Sequence, residues 1–141
     1  MQTIFIFGNG NLSFEDFSKY YQPVLEQYID QNDTNFILGD FRGVDTLAME
    51  WLKCRSSNVS IYHLGNRPRY SPDLFKTYVS DWNFNGFYST NLERDLAMVK
   101  DCTHFLGFDF NTDRNRISGT HKSIQSCFKQ KKIRLIPENT F

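Results

Sequence analysis

The sequence predicts an α/β fold, a parallel sheet of about five strands with helices on both faces. Two observations carry this expectation. Short apolar runs rich in β-branched and aromatic residues alternate with stretches whose apolar residues recur at three and four, and the runs end at glycine or polar loops. Alternation of this kind calls for parallel strands joined by right-handed crossover helices. A third observation is the length. At 141 residues the chain matches one domain, with about two-thirds of its surface buriable on folding, so a core forms without disulfides or metal.

The elements follow in order. Thr3 to Phe7 reads as a buried strand stopped by Gly8-Asn9-Gly10. Ser13 then sits where an N-cap belongs, with Asp16 three residues on in the place of a capping-box acid, ahead of Phe14, Phe17, Tyr20, Val24, Leu25 and Tyr28 at helical spacing. Pro23 falls inside that helix as a kink. Asn35 to Leu38 is the second strand, ending at Gly39, and Val44, Leu47, Ala48, Trp51 and Leu52 mark the second helix. Ser60 to Leu64 is the third strand. Residues 65–91 then lose the pattern while holding Tyr70, Phe75, Tyr78, Trp82, Phe84, Phe87 and Tyr88, an irregular length usually functional or mobile. Leu92, Leu96 and Val99 restore a helix, Thr103 to Phe108 a strand, Ile124, Cys127 and Phe128 a helix, and Ile133 to Ile136 a fifth strand. The whole chain, 1–141, is expected to be one domain.

Composition excludes several classes. Sixteen basic and sixteen acidic residues cancel, which removes the general attraction to bulk nucleic acid or anionic membrane. The zero conceals an asymmetry: residues 1–50 carry eight acids and two bases, residues 110–141 seven bases and two acids. The basic third either faces a small anion or solvates a terminal helix and strand. Three cysteines without C-x-x-C spacing argue against a disulfide framework and suit a reducing cytoplasm, with Cys102 and Cys127 as core thiols. No apolar run reaches membrane-spanning length, and the start has neither basic leader nor cleavage site. His63, His104 and His121 lack metal-ligand spacing, and there is no nucleophile elbow, so no metal, cofactor or covalent nucleophile is implied.

In this architecture ligands sit beyond the C-terminal strand ends, at the switch in strand order. The segments that fall there are Gly8-Asn9-Gly10-Asn11, Gly39 to Asp45, Asp109-Phe110 and Ser118-Gly119-Thr120. Glycines admit close backbone approach to phosphate, and a following helix N-terminus adds partial positive charge. Gly8-x-Gly10 lacks the third glycine of a dinucleotide fingerprint and reads equally as a turn. Gly39 and Gly43 permit unusual backbone angles. Arg42 offers a guanidinium fork to a phosphate or to a structural ion pair. Asp40 shares this loop, and Asp45 either accepts ribose hydroxyls or caps the helix. Arg94, beside Asp95 at a helix start, gains nothing from the helix dipole and so points at an anion or an acidic neighbour. Ser118, Gly119 and Thr120 bring hydroxyls and free amides to the last crossover helix, for an anion or for capping.

The runs FILGDFRGVDTLAMEWL, Trp82 to Gly86, ERDLAM, THFLGFDF, SGTHKSI and IRLI together resemble the SLOG superfamily, Rossmann-like domains related to the DNA-processing protein DprA and to the cytokinin-activating LOG phosphoribohydrolases. The closest likeness is to small stand-alone members, and it is weak over residues 11–35 and 65–80. The resemblance implies binding of a nucleotide-derived ligand, with phosphate at Gly119 and Thr120 and second-loop contacts at Gly39, Arg42, Gly43 and Asp45. It also implies homodimers or higher homo-oligomers. LOG-type enzymes carry Pro-Gly-Gly-x-Gly-Thr-x-x-Glu, whereas here Arg116-Ile117 replaces the Pro-Gly portion and Ser123 the acid.

The leading expectation is therefore a binder that senses or sequesters a nucleotide-derived signalling molecule without catalytic residues. The alternative is an N-glycosidase or phosphoribohydrolase using Asp40, Asp95 or Asp109 as a substitute carboxylate. A third reading makes the aromatic stretch 70–88 a protein-contact surface, against a folded lid over the core.

Overall fold

The computed structural model describes residues 1–137. Residues 138–141, the end of the predicted domain and the site of Glu138 in the charge count, lie outside the described residues. The chain runs β1 (Gln2–Gly8), α1 (Phe14–Tyr20), α2 (Gln22–Tyr28), β2 (Thr34–Leu38), α3 (Val44–Leu52), β3 (Val59–Leu64), a 3₁₀ turn (Val79–Asp81), β4 (Asn83–Tyr88), α4 (Asn91–Asp101), β5 (His104–Phe108), α5 (Gly119–Lys129) and β6 (Ile133–Arg134). All strands pair in parallel, in the order β4-β3-β2-β1-β5-β6. This is a Rossmann-like three-layer α/β fold.

The two faces follow from strand alternation. Ile4 and Ile6 of β1 pack with Phe36 and Leu38 of β2 against Phe17, Leu25, Val44, Ala48 and Leu52 of α1, α2 and α3. Phe5 and Phe7 point the other way, with Phe105, onto Met98 and Val99 of α4 and Cys127 of α5, and Cys102 closes the same cluster. Both predicted core thiols are thus in the core, whereas Cys54 is exposed.

The structure corrects the element list in three places. There are six strands among the described residues rather than about five, because β4 lies inside the stretch read as irregular. Its sequence NFNGFY shows no burial alternation: it is an edge strand, largely exposed, held by backbone pairing to β3. The same stretch also contributes to the core, since Val79 and Trp82 are buried and the Trp82 indole N–H donates to Ser56 O at 2.8 Å. Phe75, Tyr78, Phe84 and Phe87 remain on the surface. Second, the first predicted helix is two helices meeting at Tyr21, with Pro23 in the opening turn of α2, where its missing N–H costs nothing. The cause is tertiary: the Tyr21 hydroxyl donates to Phe7 O at 2.9 Å and accepts from Phe108 N–H at 3.1 Å, bridging β1 and β5. Third, the last strand is only Ile133–Arg134, although Leu135 N–H still donates to Phe105 O at 2.8 Å. Ser13 caps α1 as read, accepting from Asp16 N–H at 3.1 Å. No helix among the described residues is long and apolar enough to cross a membrane.

Candidate functional site

β1 pairs with β2 on one side and β5 on the other, and the segments leaving β1 and β5 lead to helices on opposite faces. Diverging connections open a crevice at the C-terminal strand ends, the switch point where such folds take ligands. A cavity of about 370 Å³ lies there, within the range of small-molecule sites.

Eleven of the fourteen sequence-selected positions line it: Gly8, Asn9 and Gly10 after β1, Gly39, Arg42 and Asp45 after β2, Arg94 and Asp95 on α4, and Ser118, Gly119 and Thr120 at the start of α5. Asp40, Gly43 and Asp109 stand outside the lining and act as its supports. Gly43 has φ of +79°, and a Cβ there would meet Asn9 O at 2.4 Å, so only glycine lets the start of α3 close on the β1 loop.

Asp109 ties three segments together. Its Oδ1 accepts from Asn9 Nδ2 at 3.0 Å, Asn111 N–H at 3.1 Å and the Ser118 hydroxyl at 2.9 Å. Burial pushes the Asp109 carboxyl up, but these donors outweigh it and hold it below the ordinary range. The carboxylate is committed to loop architecture, which argues against its use as a substitute catalytic acid.

Asp40 is only 2% exposed and is clamped from two directions. It accepts from Arg69 N–H at 2.7 Å and from the Arg69 guanidinium at 2.8 and 3.1 Å, and Arg94 Nη1 reaches it at 3.3 Å. Desolvation raises this carboxyl, and the hydrogen bonds and charges of Arg69 and Arg94 more than reverse that. Arg94 also donates to Asp95 Oδ1 at 3.1 and 3.2 Å, so of the two readings of Arg94 its acidic neighbours have it. No signal in the sequence marks Arg69, 29 residues from Asp40 in an irregular stretch.

Asp45 does not cap α3, whose N-cap is Gly43 without a side-chain bond. Instead Asp45 Oδ2 accepts from Phe41 N–H at 3.0 Å. Desolvation pushes its carboxyl up to about 7 against the pull of that bond and of Arg94, with Asp40 and Asp95 adding to the rise. Asp95 is also raised, burial again outweighing Arg94.

No family model, curated protein or solved structure matches this chain. The chemistry of the cavity must therefore be read from its own groups.

At the rim, Arg42 and Arg116 line the cavity, and neither has a carboxylate within ion-pair distance among the described residues. Arg42 lies over the Phe41 ring at 5.4 Å, and Phe110 faces the same space. Arg116 stood out in the sequence only as a departure from a motif. Ser118 is fully employed as the N-cap of α5, accepting from His121 N–H at 3.0 Å while donating to Asp109. Thr120 differs. It is 7% exposed, lines the cavity, and its hydroxyl has no hydrogen-bond partner among the described residues. Around Gly119 a Cβ would meet nothing within 4 Å, leaving open space before the first-turn amides. Ser123 also borders the cavity. The cavity thus brings together Arg42, Arg94, Arg116 and the α5 amides with the carboxylates of Asp45, Asp95 and Asp113.

Proposed function

We propose that this protein binds a phosphate-bearing, nucleotide-derived small molecule in the switch-point cavity and holds it without cleaving it. The observation that carries the reading is the Thr120 hydroxyl, which has no partner among the described residues and lines the cavity beside the free amides of α5. A hydroxyl facing a cavity at a helix N-terminus is free to donate to a phosphate oxygen, which there also meets the first-turn amides and the helix dipole. Arg42 and Arg116 supply charge from across the opening, and Phe41 and Phe110 offer ring faces to a base. The SLOG resemblance points to the same ligand class and to homo-oligomers. A cytoplasmic sensor or sequestering protein fits the charge balance and cysteine pattern.

Retention rather than turnover follows from Ser123, which brings no charge to the position where LOG-type enzymes place an acid. Calorimetric titration with nucleoside monophosphates tests the site: Arg42→Ala and Thr120→Ala are each expected to weaken binding by roughly 1 to 3 kcal/mol while the fold survives. Unchanged affinity in both variants would move the site elsewhere. Chromatography of the incubated mixtures is expected to show intact nucleotide.

One observation favours the enzyme reading as second. Of its three candidate carboxylates only Asp95 lines the cavity, and burial raises its pKa above the ordinary carboxylate value, the direction a proton-transferring acid needs. Release of free base that disappears in Asp95→Asn would promote it over retention.

A further inference from the structure

The inner end of the cavity is built for something other than phosphate. A Cβ at Gly39 would meet Asp45 Oδ2 at 3.0 Å, with Arg94 Cζ and Met98 Cε each at 3.7 Å, so the absent side chain leaves Asp45 open to the cavity. Three carboxylates, Asp40, Asp45 and Asp95, gather there around two guanidiniums, Arg69 and Arg94. Arg69 is taken up by Asp40, and Arg94 is divided between Asp40 and Asp95; neither reaches ion-pair distance of Asp45. Asp45 Oδ2 accepts from Phe41 N–H, and its Oδ1 accepts from nothing among the described residues. The charged and titratable groups that face it are Arg94 and Asp95 from α4, Asp40 from the end of β2 and the Tyr21 phenol from the α1–α2 junction. Asp45 thus presents an oxygen with no donor in the same cavity that holds the unpartnered Thr120 hydroxyl.

A carboxylate beside an anion site repels phosphate, and it favours binding only by accepting a hydrogen bond from another part of the ligand. We propose that Asp45 determines specificity in this cavity by receiving a donor, a sugar hydroxyl or a base N–H, from the portion of a phosphorylated ligand that lies beyond its phosphate. This rests on the phosphate-site reading above. Because burial raises Asp45 to about 7, the empty site is partly protonated at neutral pH, and capture of a donor restores the carboxylate and releases a proton.

Three probes in order of size separate the possibilities: inorganic pyrophosphate, ribose 5-phosphate and the common nucleoside monophosphates, titrated into wild type and Asp45→Asn, with circular dichroism to verify folding. Removing a negative charge is expected to leave pyrophosphate binding unchanged or tighter, whereas ligands that reach Asp45 are expected to lose about tenfold or more. A loss already present with ribose 5-phosphate assigns the donor to the sugar, and a loss confined to nucleotides assigns it to the base. Titration near about pH 6.5 in buffers of different ionisation enthalpy is expected to show more proton release in wild type than in Asp45→Asn, which isolates Asp45 from the phosphate's own second ionisation near about 6. If every ligand binds Asp45→Asn as well as or better than wild type, Asp45 only repels and the proposal falls while the phosphate site stands. If no probe, pyrophosphate included, binds wild type, the phosphate-site reading fails and this inference with it.

Discussion

Single groups two positions apart in sequence take opposite roles here. Ser118 and Thr120 both bring a hydroxyl to the start of α5, but Ser118 is consumed by His121 N–H and Asp109, whereas Thr120 lines the cavity with its hydroxyl unpartnered among the described residues. Asp45 is a further case, a carboxyl raised by burial from an ordinary 3.8 to about 7. Between those values the folded state binds more protons than the unfolded one. Its contribution to stability is therefore full below about 3.8, declines as pH rises and is lost above about 7. Asp45→Asn, which resembles the protonated form, is expected to raise the urea midpoint at pH 8, with a gain that shrinks as pH approaches 4. A gain independent of pH would show that the carboxyl is not strained by burial. Loss of affinity with gain of stability in one variant is the usual trade at a binding site.

At the scale of elements, the start of α5 depends on a connection that crosses the crevice. Ser118 caps the helix and joins it through Asp109 to Asn9 after β1, and Asn9 Oδ1 in turn accepts from Phe110 N–H at 2.6 Å. Thr90 caps α4 with a single bond, accepting from Glu93 N–H at 3.1 Å, and has no such link. Ser118→Ala is expected to cost about 1 to 2 kcal/mol in denaturant unfolding, more than Thr90→Ala, because it removes a cap and also a donor to Asp109. Equal costs for the two would mean that the Asp109 junction adds nothing to the anchoring of α5. Ser13 was legible from sequence as a cap, and Ser118 as either a cap or an anion contact. The junction was not, because Asn9 and Asp109 are 100 residues apart and meet only once β1 and β5 pair.

Across the molecule, Asp40 joins parts that no local pattern connects. It sits just past β2, buried, and draws in Arg69 from the stretch after β3 and Arg94 from α4 on the opposite face to α3. A buried carboxylate with two guanidiniums is costly to break on one side, since the remaining charges lose their partner. Asp40→Asn is expected to destabilise the fold by about 3 to 5 kcal/mol, read as a drop in midpoint at pH 7. The lowered pKa of Asp40 sets the sign of its pH dependence. Its contribution is present above the ordinary 3.8 and is lost as pH falls through the lower folded value, so the wild-type advantage over Asp40→Asn is expected to vanish in strong acid. A variant as stable as wild type at pH 7 would show that Arg69 and Arg94 are satisfied without it.

The sequence by itself determined the α/β alternation, the helix starts at Ser13 and Ser118, and the four loop segments that meet at the strand ends. These rest on local signals: period-two and period-3.6 apolar patterns, capping residues, and glycine where a backbone must approach another. Only the tertiary structure decided which of the selected residues face the cavity and which hold its walls. Asp40, Asp95 and Asp109 read alike as substitute carboxylates, yet two arginines close Asp40 off, three donors bind Asp109, and Asp95 alone of the three lines the cavity. β4 escaped notice for the same physical reason: an edge strand is made by backbone hydrogen bonds to a partner and need not alternate. Ion pairs, donor networks and edge pairing are contacts between distant parts of the chain, and composition and spacing do not encode which parts meet.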